Sequence, residues 1–435
     1  MGQIHPVWVG VCDLDQAGPV WSPGGPLAGH HRAVRVLIRW HGTPIGYVSV
    51  PALPRDSLVC RVHTAARSAL AEPLERHAAL DAEAEAPASH RDAIRSRDGW
   101  LTRVACPHRF GQVDRTGITV IVCTRDRSAE LRLCLESLRQ LRHAPMEILV
   151  IDNAPASGTT EAIVRQLAER DPRIRYACEN QPGLSHARNL GLTLASHDIV
   201  AFTDDDTRVD PNWTRALLAG FAADPSAACI TGLVASGSLE TSSERYFDAR
   251  YARQAAFEPH RYDLASRQNG LYPFTAGIFG TGANFAVYRP IILKLGGFDP
   301  LLGAGSPGRG GEDLDIFLRI ILAGEQIGYL PAALVWHRHR TDTRALREQV
   351  YAYGYGLGAY LAKHLVTPEL RRALRIHGLR KAAMLLLQMQ HASQASRLGA
   401  VGTKLAALEV AGVLSGAVRY WRLSRGGSRS LGDLP

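Results

Sequence analysis

The chain has 435 residues, of which 46% are hydrophobic and 21% are charged. This composition is that of an ordinary globular protein and excludes an intrinsically disordered one, and the length predicts two or three domains. The seven cysteines are scattered, odd in number and free of any C-x-x-C pair, which indicates a reducing compartment and argues against a disulfide framework and a zinc site.

The net charge of +9 is carried by one end of the chain. Residues 371–435 contain eleven basic and two acidic residues, whereas the first 370 residues are balanced. A basic tail of this kind predicts an anionic surface as partner, such as a membrane. We find no secretory signal and no apolar run long enough for a transmembrane helix. The hypothesis is a cytoplasmic protein, peripheral at the inner face of the plasma membrane, with no nucleic-acid partner.

The first 83 residues predict a small α+β module without recognisable chemistry. Its expected elements are strands at 7–14, 33–40 and 45–50 and a helix at 58–83 that breaks at Pro73. Residues 84–117 are predicted to be a linker, because they begin with an Ala/Glu-rich segment and continue through charged and Pro-containing stretches.

From residue 118 the pattern alternates between strands and helices. The predicted strands lie at 118–123, 147–151, 173–178, 198–202 and 228–234, with helical periodicity between them. This alternation predicts right-handed crossovers and a mostly parallel, Rossmann-like α/β sheet. Neither a P-loop nor a strand-linked G-x-G-x-x-G motif is present, which argues against a P-loop NTPase and a nicotinamide enzyme.

Three consecutive carboxylates, Asp204, Asp205 and Asp206, follow the strand at 198–202. Two ionised carboxylates about 4 Å apart repel by about 4 kcal/mol at an effective dielectric near 20. A divalent cation that bridges to diphosphate oxygens would compensate this repulsion. A solvated loop is the alternative, whereas an EF-hand is excluded because its sixth-position glycine is Val209 here.

Other polar residues follow the neighbouring predicted strands. Thr124, Arg125 and Asp126 come after the first strand of the sheet, and Asp152 comes after the second. Ligands of parallel sheets bind outside the carboxyl ends of the strands. We therefore expect these residues and the three carboxylates to line one crevice.

Residues 118–343 resemble the family 2 glycosyltransferases of the GT-A fold. The matching stretches are ITVIVCTRDR at 118, EILVIDNAP at 147, NQPGLSHARNLGL at 180, IVAFTDDDTRVDPNW at 199, GTGANFAVYRPIILKLGGFDPLLG at 280, GRGGEDLDIFLRIILAGEQIGYLP at 308 and VWHRHR at 335. The resemblance implies an inverting, metal-dependent hexosyltransferase that moves a sugar from a nucleotide diphosphosugar to an acceptor hydroxyl. Its expected cofactor is Mn²⁺ or Mg²⁺, and its expected acceptor is a glycan or a lipid-linked molecule of cell-envelope glycan, polysaccharide or glycolipid synthesis.

The resemblance also implies roles on the donor side of the site. The residues expected beside the nucleotide are Thr124, Arg125 and Asp126, with Asp152 reading the base and Arg188 and Asn189 lining the diphosphate or sugar. Asp204 and Asp206 match the D-x-D motif of the family, and Asp206 is the expected metal ligand. The division of nucleotide and metal contacts between Asp204 and Asp205 stays open.

His337 and Glu312-Asp313 complete the predicted site. His337 is a candidate metal ligand, with a structural histidine as the alternative, and strand alternation predicts that His339 points to the same side. Neighbouring helical residues point about 100° apart, so Glu312 and Asp313 should not both face the reacting centre. The family pattern implies Asp313 as the general base and Glu312 as a ligand of sugar hydroxyls. The alternative is that both acids only stabilise a helix N-terminus.

Residues 344–435 are predicted to be helical. The segment 405–421 is apolar almost all round, which predicts either burial in a helical bundle or oligomer interface, or contact with a membrane surface. Two other functions are alternatives to a glycosyltransferase for the whole chain. A sugar nucleotidyltransferase should show a Gly-rich, Arg/Lys-bearing loop after the first strand of the sheet, and an inactive glycan-binding or scaffold protein should lack the acids.

Overall fold

The computed structural model describes residues 6–16, 20–85, 113, 115–141, 143, 145–251, 257–266, 270–396 and 400–426. Most of the predicted linker at 84–117 lies outside the described residues, as do residues 427–435 of the basic tail. No described helix is long and apolar enough to cross a membrane.

The N-terminal module is a three-stranded sheet covered by two helices. Its elements are β1 (Val7–Asp13), β2 (Ala33–Trp40), β3 (Thr43–Pro51), α1 (Arg55–Ala69) and α2 (Ala71–Glu85). β2 lies in the middle, parallel to β1 and antiparallel to β3. The predicted break of the helix at Pro73 is wrong by three residues: the break is at Leu70. Pro73 lies in the first turn of α2, where a missing backbone N–H is tolerated.

Among the described residues, nine further strands form the central sheet. They are β4 (Ile118–Thr124), β5 (Met146–Asn153), β6 (Ile174–Glu179), β7 (Ile199–Asp204), β8 (Thr207–Val209), β9 (Ala227–Ser236), β10 (His260–Tyr262), β11 (Asn284–Tyr288) and β12 (Gln326–His337). The strand order is β10-β12-β9-β11-β7-β4-β5-β6, with β8 paired to β12. β4 through β7 are mutually parallel where they pair, and β11 enters antiparallel between β7 and β9. The predicted mostly parallel α/β sheet is confirmed.

Helices cover both faces of this sheet. They are α3 (Ser128–Arg139), α4 (Thr159–Ala168), α5 (Leu184–Leu194), α6 (Trp213–Ala223), α7 (Ser242–Tyr251), α8 (Arg289–Lys294) and α9 (Glu312–Leu322). Along β4, Val120 and Val122 pack into one buried cluster with α3 and α6, whereas Ile121 packs into the other with α5 and α9. A strand buried on both faces reads as a continuous apolar run, which explains the I-T-V-I-V sequence.

The C-terminal region is helical, as predicted, and consists of α10 (Thr343–His364), α11 (Pro368–Ser396) and α12 (Ala400–Gly426). α10 and α12 approach each other through glycines. A Cβ atom on Gly354 would lie 2.1 Å from the carbonyl oxygen of Glu409, and one on Gly358 would lie 2.0 Å from that of Val413. These glycines therefore allow the two helix backbones to touch. One face of the apolar segment 405–421 is buried in this helical bundle.

Candidate active site

The predicted polar strand ends lie along one edge of the central sheet. β4 is between β5 and β7, and the strand register pairs Thr124 with Asp152 and Cys123 with Asp204. The acidic run follows directly, because β7 ends at Asp204. The strand ends expected to line one crevice therefore lie side by side, at the ends of β4, β5 and β7.

Asp204, Asp206 and His337 form a cluster with the geometry of a metal site. One ligating atom of each lies within 4.8 Å of the others. Asp206 Oδ1 lies 2.9 Å from His337 Nε2, and Asp206 Oδ2 accepts a hydrogen bond of 2.9 Å from Arg127 Nη2. Burial opposes ionisation of Asp206, but His337 and Arg127 outweigh burial and lower its pKa. Asp206 is thus held as a carboxylate.

The other acid of this cluster, Asp204, behaves differently. Burial raises the pKa of Asp204 to about 6, Arg188 opposes the shift, and the nearby Asp206 adds to it. A divalent cation would remove this repulsion, and two carboxylates with one imidazole are ligands that suit such an ion. Mg²⁺ prefers a shell of oxygens alone, so the presence of His337 fits Mn²⁺ better.

Asp205 is turned into the protein. Its side chain is buried and accepts hydrogen bonds from Thr124 Oγ1 at 2.7 Å and from Arg127 Nη1 at 2.6 Å. Burial raises the pKa of Asp205 to about 7 against the opposing charge of Arg127. Arg127 therefore holds Asp205 and Asp206 together. Sequence reasoning missed Arg127, although its place directly before α3 in the T-R-D-R stretch was a signal.

Arg188 joins the acidic run to the start of α9. Its side chain is buried, Nη1 donates to Glu312 Oε1 at 3.1 Å, and Nη2 donates to the carbonyl oxygen of Gly282 at 2.9 Å. Nη2 also lies 3.7 Å from Asp204 Oδ1. The guanidinium is surrounded by the rings of Phe202, Phe285 and Phe298, with centroids 5.4–5.7 Å away. One buried cation thus connects both acidic parts of the site.

Glu312 and Asp313 point to different surroundings. α9 begins at Glu312, after Gly311 in the left-handed conformation with φ 84°. Glu312 is buried beside Arg188, and burial raises its pKa to about 7. Asp313 is partly exposed, and its Oδ2 accepts a hydrogen bond of 2.8 Å from the backbone N–H of Gly282. Asp313 is the more accessible of the two carboxylates.

Asp152 is fully buried on β5. Tyr176 donates to its Oδ2 at 3.1 Å, while its Oδ1 is buried and has no hydrogen-bond partner among the described residues. Burial raises the pKa of Asp152. A buried carboxylate oxygen of this kind is a ready acceptor for an N–H group of a ligand.

The other residues predicted to bind the sugar donor are exposed or fix loops. Arg125 is exposed, and Asp126, with φ 52°, accepts a hydrogen bond of 2.9 Å from the backbone N–H of Ala156. The amide of Asn189 bonds both backbone groups of Phe298, at 2.8 Å each. Asn189 therefore fixes the loop after α8.

A chain of polar contacts leads from His337 into the N-terminal module. His337 Nδ1 lies 3.1 Å from His339 Nδ1, so the two rings are on the same side, as predicted. His339 Nε2 lies 3.1 Å from Ser236 Oγ, which donates to Asp248 at 2.7 Å, and Asp248 pairs with Arg35 of β2. Burial lowers the pKa of His339. The N-terminal module thus contacts, through Arg35, the residues that lie behind His337.

The chain resembles known proteins over this same region. Residues 119–293 match the model of glycosyl transferase family 2. A pre-mycofactocin glycosyltransferase of Mycobacterium tuberculosis is 27% identical over 293 residues, which cover 66% of this chain and 56% of the relative. A glucosyl-dolichyl phosphate glucuronosyltransferase of Haloferax volcanii is 24% identical over 251 residues, which cover 55% of this chain and 75% of the relative.

A solved structure is similar at a lower level. It is a mannosyltransferase from Pyrobaculum calidifontis in complex with GDP-Man and Mn²⁺, with a TM-score of 0.46, 18% identity and coverage of 70% of this chain and 86% of that one. The matched region spans little more than half of the M. tuberculosis relative. The match over residues 119–293 identifies this part of the chain as a family 2 glycosyltransferase domain.

Proposed function

We propose that the protein is an inverting, metal-dependent glycosyltransferase that acts in the synthesis of cell-envelope glycan, polysaccharide or glycolipid. The observation that carries this proposal is the buried Arg188, which joins the Asp204–Asp206–His337 cluster to Glu312 and Asp313. Such a transferase needs a site for the diphosphate leaving group and a base for the acceptor hydroxyl, placed across one reacting centre. Here the candidate metal ligands and the candidate base both lie around the Arg188 guanidinium.

The donor would be a nucleotide diphosphosugar. The buried Asp152 Oδ1 suits a base that offers an N–H group, and a uracil base is compatible with this. Arg125, exposed at the crevice rim, is available for phosphate oxygens. Asp204, Asp206 and His337 would hold Mn²⁺ or Mg²⁺. When bound, the cation supplies positive charge against the departing diphosphate.

Asp313 would take the proton from the attacking acceptor hydroxyl. Its Oδ2 is oriented by the Gly282 N–H, and its partial exposure leaves it open to an acceptor. Glu312, held by Arg188, would orient sugar hydroxyls. A single displacement assisted by one base inverts the configuration at the sugar carbon, which is why the proposal specifies inversion.

Two features disfavour the rival functions. α3 begins at Ser128, directly after the Thr124–Arg127 stretch, and leaves no room for the Gly-rich loop of a sugar nucleotidyltransferase. The acids that an inactive scaffold would lack are present and supported by hydrogen bonds from Arg127, Arg188 and Gly282.

The direct test is a panel of nucleotide sugars in a thermal-shift assay, with and without Mn²⁺ or Mg²⁺, followed by turnover assays with the stabilising donor. A ligand at a hundred times its Kd should stabilise the protein by about 2.7 kcal/mol. We expect one donor class to stabilise the protein in a metal-dependent way. Persistent glycan binding without turnover of any nucleotide sugar would favour the inactive binding protein instead.

The proposal includes peripheral attachment to a membrane near a lipid-linked acceptor, from the cytoplasmic side. α12 carries an exposed apolar stripe with helical spacing, formed by Val410, Leu414, Val418 and Trp421. Exposed basic residues accompany the stripe, namely Lys404, Arg419 and Arg422. This combination is typical of helices that lie on anionic membranes. The name of the H. volcanii relative, which includes a dolichyl phosphate, agrees with a lipid-linked acceptor.

Vesicle flotation tests this attachment. The full chain should float with anionic vesicles and less with neutral ones, and Leu414→Glu should weaken flotation. Leu264→Glu, at a comparably exposed leucine outside the C-terminal helices, is the matched control. Equal flotation of wild type and Leu414→Glu would exclude α12 as the attachment site.

A further inference from the structure

A second cluster of metal-ligating side chains lies in the N-terminal module, outside the site described above. It consists of His41 in the β2–β3 turn and of His77 and Asp81 on α2. We propose that these three residues bind a zinc ion that clips α2 to the β2–β3 hairpin. The proposal is independent of the glycosyltransferase function.

The two distances to Asp81 in this cluster approach those of a coordination shell. His41 Nδ1 lies 3.5 Å and His77 Nε2 lies 3.8 Å from Asp81 Oδ2, and the three ligating atoms are all within 4.8 Å of one another. Both separations exceed the usual 2.7–3.2 Å or so of an N–H···O hydrogen bond. A tetrahedral zinc ion with arms of about 2.0–2.1 Å holds neighbouring ligand atoms roughly 3.3–3.4 Å apart. Rotamer adjustments of a few tenths of an ångström would bring both distances to Asp81 into this range.

The backbone conformation places all three side chains close together. His77 and Asp81 are four residues apart on α2, so they lie on the same helix face. His41 has φ 50° and Gly42 has φ 77°, and positive φ at both turn residues is typical of a type I′ hairpin. The first of these positions normally favours Asn, Asp or Gly rather than His. The turn is fixed further by the His41 N–H, which donates to Asp15 Oδ1 at 3.0 Å.

The chemistry of the three ligands points to zinc. Two imidazole nitrogens with one carboxylate oxygen form a common zinc set, whereas Ca²⁺ and Mg²⁺ prefer oxygen ligands. The side chains of His41 and Asp81 are 26% and 25% exposed, and that of His77 is 6% exposed. An ion can therefore enter from solvent, and water can occupy the fourth position.

A second histidine cluster provides a contrast. His30, His31 and Glu240 also bring three ligating atoms together. His31 Nε2 lies only 2.7 Å from Glu240 Oε1, which is a normal hydrogen bond, and the His30 side chain is 58% exposed. A direct contact therefore accounts for His31 and Glu240 without an ion. His30→Gln is accordingly a matched control variant.

The lack of C-x-x-C pairs argues only against zinc sites built from paired cysteines, whereas the ligands here are His and Asp. His41 is separated from His77 by 36 positions of the chain, and only the packing of α2 next to β3 brings them together.

The test is zinc stoichiometry by native mass spectrometry on the full chain, stripped with a chelator and titrated with Zn²⁺. Zinc can also enter the Asp204–Asp206–His337 cluster, so all measurements use the His337→Ala background. We expect one zinc ion per chain in His337→Ala, and at least a hundredfold weaker binding when His77→Gln is added. His30→Gln in the same background should keep the ion.

A second measurement distinguishes loss of the zinc site from misfolding of the variants. Zinc should raise the melting temperature of His337→Ala but not of its Asp81→Asn or His41→Gln derivatives, whose folding is checked by circular dichroism. Co²⁺ in place of zinc should give visible d–d absorption that the same substitutions remove. The proposal is overturned if His337→Ala binds no zinc, or if folded His77→Gln and Asp81→Asn derivatives bind it as tightly as their parent.

Discussion

Two short segments each bring several carboxylates to the candidate active site, one at a strand end and one at a helix start. The strand end carries Asp204, Asp205 and Asp206, and the helix start carries Glu312, Asp313 and Asp315. In both segments, buried acids contact basic side chains. Asp205 contacts Arg127, Glu312 contacts Arg188, and Asp315 contacts His364, Arg319 and Lys363.

The two segments differ in what they leave open. At the strand end, Asp204 and Asp206 remain close to each other and to His337, and this group is the proposed cation site. At the helix start, successive side chains diverge, so Asp313 stays partly exposed while Glu312 and Asp315 are buried. Backbone geometry therefore separates the proposed roles: the strand end would gather negative charge for a metal ion, and the helix start would present one carboxylate for proton transfer.

The largest expected effect comes from removing the isolated carboxylate. Asp313→Asn keeps the hydrogen bond acceptor for the Gly282 N–H but cannot take a proton. We expect transfer to fall by about 10²- to 10⁴-fold, the usual contribution of a general base. Donor binding, measured by thermal shift, should be unchanged. Undiminished transfer by this variant would assign the base to another residue.

The link between the two segments can be broken at Arg188. Arg188→Met leaves Glu312 and Asp204 without their buried cation, and removing one partner of a buried pair costs about 3–5 kcal/mol of folding stability. Urea denaturation measures this loss. Arg188→Met combined with Glu312→Gln should recover part of the stability, because one buried charge is removed. No recovery in the double variant would show that Glu312 is not the main partner.

The strand-end segment is tested by Asp206→Asn. This change removes a negative charge between His337 and Arg127 and should abolish the metal-dependent part of a donor stabilisation that totals about 2.7 kcal/mol at a hundred times the Kd. Thermal shift with and without Mn²⁺ measures the effect. Asp198→Asn, at a carboxylate that is 60% exposed, is the control. A metal response equal to that of wild type would exclude Asp206 as a ligand.

Much of this arrangement could be predicted from the sequence because it depends on local patterns. Alternating strands and helices determine which strand ends share an edge, so the sequence predicts Thr124, Asp152 and Asp204 together, and the register pairs Thr124 with Asp152 and the adjacent Cys123 with Asp204. The apolar run at 118–123 likewise predicted a strand buried on both faces, which is confirmed.

The side-chain partners could not be predicted in this way. Asp205 turns inward because a turn begins there and because Arg127, from a loop 78 residues earlier, reaches it. Arg188 meets Glu312 across 124 residues. Such contacts depend on how α5 and α9 pack on the sheet, and three adjacent Asp residues contain no signal of that packing.

The smallest expected effect concerns Asp315, which makes the helix start sensitive to acid. Asp315 is fully buried, and His364, Arg319 and Lys363 outweigh burial and lower its pKa. A lowered pKa means that this contribution to stability is complete above the ordinary Asp pKa of about 3.9 and is lost as the pH falls below it. Between pH 5 and pH 3 the free energy of unfolding should fall by about 1 kcal/mol, because one proton costs about 1.36 kcal/mol per pH unit below the pKa of the unfolded state.

Urea denaturation of wild type and Asp315→Asn at several pH values measures this contribution. The variant should be less stable at pH 6 but should lose about 1 kcal/mol less than wild type on acidification to pH 3. Asp198→Asn should follow the wild-type curve, because its carboxylate is largely exposed. If Asp315→Asn kept the wild-type pH dependence, the acid sensitivity would belong to other carboxylates, and the contrast between the strand end and the helix start would rest on Glu312 and Asp313 alone.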